Sequence, residues 1–409
     1  MALPELPLLP LVNMHSVANA GNRWVALLLQ LDAGLADPGA ALAAMFATPD
    51  LLVAVAPLDC IVLLATPALL TPALLEAMPP NRVVFAIAAT ALIDSAHRDA
   101  IAALQQQGYR VLIDGALPAG VVPPPTLRAV SRDWHDWHDW HDRDDGVDNA
   151  GGANTLVMSG ALLALFGPHL ARGVASAARQ AQSAKAGFSW FSGAYPLHPA
   201  PLAEANDAGA HQRLLNLLAL LATDADARQL ETLLKQDAVL AYQLLKLVNS
   251  AAFARAAPVT SFAQAIGLLG RRQLQRWLQL LLFARPRHDG LPNALLPIAA
   301  LRAAQMASLC ALDGGTLEAQ DGAFMVGAFS LLDVLLQRPM ADIVASLNLP
   351  ADLGAALSTR QGRLGQWLTL VATPTPLARA LQAADIAPGQ WWHSQLRAYH
   401  WAIQLSRSV

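Results

Sequence analysis

The sequence predicts an α/β fold over residues 1–200, with a parallel sheet that forms a barrel or part of one, and an all-α domain over residues 201–409. Short apolar runs alternate with amphipathic ones up to about residue 130, as strands and helices do around a parallel sheet. From Pro199 onward, leucine-rich segments repeat at the helical period. The prolines and the Asn-Asp-Ala-Gly stretch at residues 199–209 indicate a linker between the two domains.

The elements of the first domain follow from these runs. The expected strands are Trp24–Leu31, Leu51–Ala56, Ile61–Ala65, Val83–Ala88 and Arg110–Asp114. The expected helices are Pro38–Ala47, Pro67–Ala77 and Ser95–Gly108. The last helix is the clearest, because Ala96, Ile101 and Leu104 share one face and Gly108 ends it. Since the carboxyl ends of barrel strands face the usual active-site side, Asp114 is expected there.

Residues 131–153 are of low complexity and are expected to form an exposed insertion that includes three Trp-His-Asp triplets. His135, His138 and His141 are spaced three apart, and on one helical face they could share a zinc or nickel ion. No capping residue or apolar periodicity supports a helix there, and ordering a flexible site costs affinity. A tandem duplication in a tolerant loop is the favoured interpretation, so no metal site is expected.

Composition excludes several classes of protein. The 409 residues are 55% hydrophobic and 14% charged, which supplies ample buried core and argues against disorder. The net charge of -3 gives no overall attraction to nucleic acid or anionic membrane. The two cysteines, Cys60 and Cys310, exclude a disulfide framework and are interpreted as buried small hydrophobes.

No membrane partner is expected, and the predicted location is the cytoplasm. The first residues lack a positively charged n-region, and prolines interrupt them. The apolar stretch Leu51–Leu70 approaches membrane-spanning length, but Pro57, Asp59 and Pro67 interrupt it. Two short strands, or a strand and a helix, explain it better.

Catalytic motifs are missing from the sequence. There is no phosphate-binding glycine loop and no nucleophile elbow. The one His-Asp pair outside the triplets, His288-Asp289, lies in a turn between prolines, where ligand geometry is not fixed. We therefore expect no catalytic residues, no cofactor and no metal.

The segment from residue 237 to residue 270 is the most distinctive part of the second domain. It contains a helix that begins at an aspartate and closes on an Asn-Ser pair, then a helix with a Ser-x-x-Gln capping box and a final glycine. These motif residues are Asp237, Asn249, Ser250, Ser261, Gln264 and Gly270. Structural or interaction roles account for all six.

A DNA-binding interpretation of this region remains open but is less favoured. The turn at Gly270 resembles the turn of a helix-turn-helix. However, residues 278–284 are too apolar for a recognition helix, and only Arg271, Arg272 and Arg276 could meet phosphates.

The motif at residues 237–270 resembles the HDOD domain, a helical relative of the HD phosphohydrolases that lacks their metal ligands. The resemblance rests on the Leu-Leu-x-Leu-Val-Asn-Ser run and the Ser-x-x-Gln-Ala-Ile-x-Leu-Leu-Gly run, and it extends over most of residues 205–400. Where an HD enzyme would carry its His-Asp pair, this chain has residues 298–304, with Arg302 among alanines. The resemblance therefore implies that this helix ligates no metal.

Six short segments of the first domain follow one another as they do in the EAL domain, the barrel that hydrolyses cyclic di-GMP. The segments are Leu9–Val12, Ala26–Gln30, Val83–Ile87, Gly108–Gly115, Ala171–Ala175 and Gly187–Gly193. The first domain thus resembles a decayed EAL domain. Ala26 and Ala86 stand where that family has glutamates, and Asp114 is retained from an Asp-Asp pair whose second position is Gly115. The strand that resembles Glu-Gly-Val-Glu has lost its acids.

EAL domains precede HDOD domains in one group of bacterial signalling proteins. EAL hydrolysis requires two divalent ions held by carboxylates, so the resemblance implies that this chain is not an enzyme. We expect a non-catalytic regulator that acts through unidentified protein partners. The alternatives are a sensor that binds cyclic di-GMP without hydrolysing it and, less favoured, a DNA-binding regulator.

Overall fold

Eight strands close into a barrel in the first part of the chain. The structure is a computed structural model that describes residues 12–31, 35–47, 50–122, 124–134, 165–200, 262–284, 291–347, 349–373 and 378–408. The strands are β1 Val12–Asn19, β2 Trp24–Leu31, β3 Asp59–Leu64, β4 Val83–Ala88, β5 Arg110–Asp114, β6 Ala129–Asp133, β7 Leu170–Arg172 and β8 Trp190–Phe191. Strand β1 is antiparallel to β2 and β8, and all other neighbours are parallel.

Helices connect most of the early strands, as the alternating pattern predicts. They are α1 Pro38–Phe46, α2 Asp50–Ala54, α3 Pro72–Ala77, α4 Ser95–Gln106 and α5 Ala177–Lys185. Short 3-10 helices cover Pro67–Leu69, Ala89–Ile93 and Tyr195–Leu197. The predictions for β2, β4 and β5 match the observed bounds, and those for α1 and α4 are one or two residues too long.

Two element predictions were wrong in this region. The expected strand Leu51–Ala56 is mostly the helix α2, in which Leu51 is buried, and the turn that follows buries Val55. An apolar run alone does not distinguish a buried strand from a buried helical turn. The expected helix Pro67–Ala77 is split, because the Thr71 hydroxyl accepts a hydrogen bond from the Leu74 amide and starts α3 afresh.

The prediction of an exposed insertion over residues 131–153 is wrong for its first residues. Residues Ser131–Asp133 belong to β6, and Ser131, Arg132 and Trp134 are buried. The alternation of β6 between the barrel interior and its outer layer explains this burial, which the polar composition had hidden. His135, His138 and His141 lie outside the described residues, as does the rest of the triplet region.

The barrel interior is apolar over most of its depth. One buried cluster takes alternate residues from successive strands, so its members face the axis of the barrel. The cluster is Val17, Ala26, Leu28, Ile61, Val84, Ala86, Leu112, Ala129 and Leu170, with Leu63 and Trp190 packed against it. Ala26 and Ala86 are therefore inward-facing positions.

The chain divides into two compact units, residues 1–200 and 201–409. The described helices of the second unit are α6 Phe262–Leu281, α7 Leu295–Leu312, α8 Leu317–Phe329, α9 Leu332–Leu336, α10 Met340–Leu347, α11 Ala351–Ser358, α12 Gly362–Ala372, α13 Ala378–Ala383 and α14 Pro388–Ser408. Helix α7 is central and packs against α8, α12 and α14. Gly327 allows the close approach of α8, since a Cβ there would lie 2.6 Å from the Ala303 Cα.

Two helical stretches of the second unit are long and apolar enough to cross a membrane, Leu295–Leu312 and Leu317–Leu336. Within the described unit, 67% and 61% of these stretches are buried. Central helices of a globular core have the same character, so the stretches are weak evidence for a membrane span. The apolar stretch Leu51–Leu70 instead contains a helix, a turn and strand β3.

Candidate functional site

An arginine and two aspartates meet where β5, β6 and β7 end at the carboxyl face of the barrel. The Arg172 Nε and Nη2 atoms donate to the two Asp114 carboxylate oxygens at 3.1 and 3.0 Å. Nε also lies 3.2 Å from the Ser131 hydroxyl, and Nη1 lies 3.6 Å from an Asp133 oxygen. The strand register produces this meeting, because Asp114 is paired with Ser131 and Asp133 with Arg172.

This ion-pair cluster, consisting of Asp114, Ser131, Asp133 and Arg172, is largely removed from solvent. The Arg172 and Asp114 side chains are 14% and 12% exposed. Bidentate pairing of a guanidinium with a carboxylate is strong when water is limited. Burial, followed by the charge of Arg172, lowers the pKa of His15 on strand β1. The charge of the Arg172 guanidinium therefore extends to His15.

A second guanidinium lies just behind the mouth. Arg132 is 6% exposed and its Nη1 donates to the Ser131 carbonyl at 2.9 Å. Burial lowers its pKa to about 10, and the charge of Asp114 partly opposes that shift. Carbonyl oxygens hold Arg132 in place, so it braces β5 and β6.

The predicted position of Asp114 at the end of β5 is seen in the structure, but its environment was not foreseen. Sequence reasoning missed the roles of Arg172, Asp133, Ser131 and His15. One signal was available, since Arg172 directly precedes Gly173-Val174, the place of the first glutamate in the Glu-Gly-Val-Glu resemblance. A basic residue at that place, on the face where Asp114 ends its strand, indicates an ion pair.

The structure describes only two of the six motif residues predicted for the second unit, Gln264 and Gly270. Asp237, Asn249, Ser250 and Ser261 lie outside the described residues, as does His288-Asp289. Gln264 is in α6, and Gly270 interrupts that helix with φ 71° and ψ 159°. Only glycine adopts this conformation readily, which explains why the helix path breaks there.

Arg302 lies in the middle of α7, where the HD resemblance would place metal ligands. It is 8% exposed, and its Nη1 donates to the Ser330 hydroxyl at 3.1 Å. Among the described residues, no carboxylate forms an ion pair with it within 4 Å. Burial is the main reason why its pKa is lowered to about 10; the Arg360 charge adds to the shift and Asp333 opposes it.

Two of the three arginines considered for DNA binding, Arg272 and Arg276, are engaged within the helical unit. Arg272 Nε lies 2.6 Å and Arg276 Nη2 2.8 Å from Asp321 carboxylate oxygens. Arg276 also lies over the Phe324 ring at 4.8 Å. Intramolecular partners therefore compete with any phosphate for both guanidinium groups.

Both cysteines are buried, as predicted. Burial raises the pKa of the Cys60 thiol to about 12 and also raises that of Cys310. Such thiols are poor nucleophiles at neutral pH. In the ranges that the structure describes, no group of three or more His, Cys, Asp or Glu side chains is arranged to hold a metal ion.

The family model of the HDOD domain matches residues 210–295. Together with the closed barrel, this match confirms the predicted fold class.

Two curated relatives are similar over part of their length. They are the uncharacterized protein YuxH of Bacillus subtilis, 31% identical over 199 residues, and the cyclic di-GMP phosphodiesterase CdgJ of Vibrio cholerae, 30% identical over 190 residues. Each match covers 46% of this chain but only 47% and 44% of the respective relative.

Solved structures also match at low identity. The EAL domain of Mycobacterium smegmatis DcpA is 16% identical, with a TM-score of 0.33, and the match covers 45% of this chain and 89% of that domain. The chain therefore spans less than half the length of the curated relatives it matches, while its match to this solved domain covers most of the domain.

Proposed function

We propose that this chain is a non-catalytic cytoplasmic signalling protein, in which a barrel derived from an EAL domain and an HDOD domain act as binding surfaces for protein partners. The observation that carries the proposal is the pairing of Arg172 with Asp114. A guanidinium occupies the two oxygens of the carboxylate that the EAL resemblance retains.

The chemical argument concerns charge. Hydrolysis by two divalent ions requires several carboxylates that converge on the cations. In this barrel the inward positions Ala26 and Ala86 carry methyl groups, and Arg172 places a fixed positive charge beside Asp114. A divalent ion would have to displace the guanidinium and then rely on few oxygen ligands. These features favour loss of hydrolysis.

The signalling context comes from the relatives. One of them, CdgJ, bears the name cyclic di-GMP phosphodiesterase, and the HDOD match accompanies an EAL resemblance in the same chain. We therefore assign the protein to cyclic di-GMP networks, with a regulatory task that does not require turnover of the nucleotide.

The direct test is a hydrolysis assay. Purified full-length protein is incubated with cyclic di-GMP and either magnesium or manganese, and the linear dinucleotide product is separated chromatographically. We expect no metal-dependent product. Turnover that disappears on chelation, and that is lost in the variant Asp114→Asn, would refute the non-catalytic assignment.

The alternative is a sensor that binds cyclic di-GMP without cutting it. It is favoured by the position of Arg172 at the mouth, where 14% of the side chain remains exposed and could meet a phosphate. Calorimetric titration with cyclic di-GMP separates the two functions. Saturable binding that weakens in Arg172→Met supports the sensor, whereas no heat of binding supports the protein-binding function.

A further inference from the structure

A cavity of about 400 Å³ opens at the end of the barrel opposite the ion-pair cluster. Its walls include Val84 and Ala129, which stand at or next to the amino-terminal ends of β4 and β6. Asp114 and Arg172, in contrast, lie at the carboxyl ends of their strands. The cavity is therefore a second site, separate from the barrel mouth.

The cavity lies between helix α4, the connection that precedes β6 and the amino-terminal ends of the strands that line it. The described residues of the connection between β5 and β6, at positions 115–122 and 124–128, contain no helix. Helix α4 forms one wall through Ala102 and Gln105, and Gly167-Pro168 forms part of another.

The walls are chemically suited to an apolar molecule. Tyr109 and Trp190 are the aromatic residues among those that line the cavity. The Tyr109 hydroxyl donates to the Met78 carbonyl at 2.8 Å, so the phenol group is already satisfied. Gln105 and Thr126 are hydrogen-bonded to each other. These polar side chains are therefore already hydrogen-bonded within the protein. The surface that remains for contact with a ligand is mainly aromatic and aliphatic.

One positive charge at the cavity has no strong partner. Arg110 is neutralised by Asp59, with nitrogen and oxygen atoms 2.7 Å apart. Arg128 contacts only the carbonyls of Pro125 and Leu127, at 3.4 and 3.5 Å. Over the described ranges, no carboxylate pairs with it within 4 Å. Arg128 is thus available to an acidic group.

We propose that this cavity binds a small, mainly apolar molecule that carries one acidic group, with the apolar part between Tyr109 and Trp190 and the acid directed to Arg128. The volume lies within the range of about 300–1,000 Å³ that is typical of small-molecule sites. Because the cavity and the barrel mouth are at opposite ends of the strands, this site can exist whether or not the barrel hydrolyses cyclic di-GMP.

The test uses two fluorescent probes on the full-length protein. One is 1-anilinonaphthalene-8-sulfonate, which has an aromatic body and one anionic group, and the other is the neutral N-phenyl-1-naphthylamine. We expect saturable binding of the sulfonate, with displacement by decanoate.

Ala102→Trp fills the cavity from the half-buried wall of α4 and should weaken the binding of both probes about tenfold or more. Ala103→Trp, on the exposed neighbouring position, is the matched control and should leave both affinities unchanged.

Arg128→Gln tests the acidic group separately. This variant should weaken the sulfonate about tenfold while the neutral probe keeps its affinity, because only the charged contact is removed. Equal binding of the probes by Ala102→Trp and wild type would overturn the site. An unchanged preference for the sulfonate in Arg128→Gln would overturn the role of the arginine.

Discussion

Each unit of the protein contains an arginine that is largely removed from solvent, yet the two arginines are compensated differently. In the barrel, Arg172 is paired with Asp114 at 3.0 Å and lies 3.6 Å from Asp133. In the helical unit, Arg302 has the neutral Ser330 hydroxyl, and no described carboxylate pairs with it within 4 Å. One charge is thus paired directly with a carboxylate, whereas the other has a neutral hydrogen-bond partner and only the more distant charge of Asp333.

The difference shows that the same residue type can have opposite energetic effects. A balanced guanidinium binds two chain segments together, and removing either charge exposes the cost of desolvating the other. A guanidinium without a direct carboxylate partner loses its hydration and gains no ion pair in exchange. The lowering of the Arg302 pKa to about 10 is consistent with this loss. Substitutions at the two sites should therefore change stability in different directions.

Asp114→Ala should produce the largest loss. It leaves Arg172 with the neutral Ser131 hydroxyl and the more distant Asp133 carboxylate, and we expect the free energy of unfolding to fall by about 3 kcal/mol. Urea unfolding followed by tryptophan fluorescence measures this change. The matched control Asp59→Ala breaks a pair whose Arg110 side chain is 47% exposed, and it should cost less than about 1 kcal/mol.

The double variant Asp114→Ala with Arg172→Met identifies the cause of that loss. If an unpaired charge is responsible, the double variant should regain part of the lost stability. Equal losses for Asp114→Ala and Asp59→Ala would contradict the view that the barrel pair is energetically special.

The same substitution at both arginines gives the next largest contrast. Methionine is apolar and of similar length, so it preserves packing while removing the charge. Arg302→Met should leave stability unchanged or raise it by about 1 kcal/mol, since Ser330 keeps its hydrogen bond to the Gly327 carbonyl. Arg172→Met should lower it by about 3 kcal/mol, because Asp114 loses its partner. Urea midpoints that fall equally in both variants would show that Arg302 is balanced by groups other than Ser330.

The sequence predicted the strands and helices around these sites better than the side-chain contacts within them. Strands β4 and β5 followed from apolar runs of strand length bounded by turn residues. The run at residues 51–56 had the same composition but folds as a helix, since periodicity over so few residues is ambiguous. Asp114 was located from its strand, but its partner Arg172 is 58 positions further along the chain. Strand closure brings the two together, so only the resemblance around Arg172, and no local pattern, could have indicated the pair.

The smallest expected effect is a pH dependence at the barrel mouth. Burial and Arg172 lower the pKa of His15, so the unfolded chain binds more protons than the folded chain just below about pH 6.5. Stability should therefore fall as the pH drops from 7.5 through this window, and the wild type should lose more than His15→Gln, in which no proton binds. Because Asp114 and Asp133 also face Arg172, the relevant quantity is the difference in pH dependence between the wild type and His15→Gln.

In Arg172→Met the His15 pKa should rise, which histidine-resolved NMR titration measures. If the His15 pKa did not change in this variant, the charge of Arg172 would not act on His15.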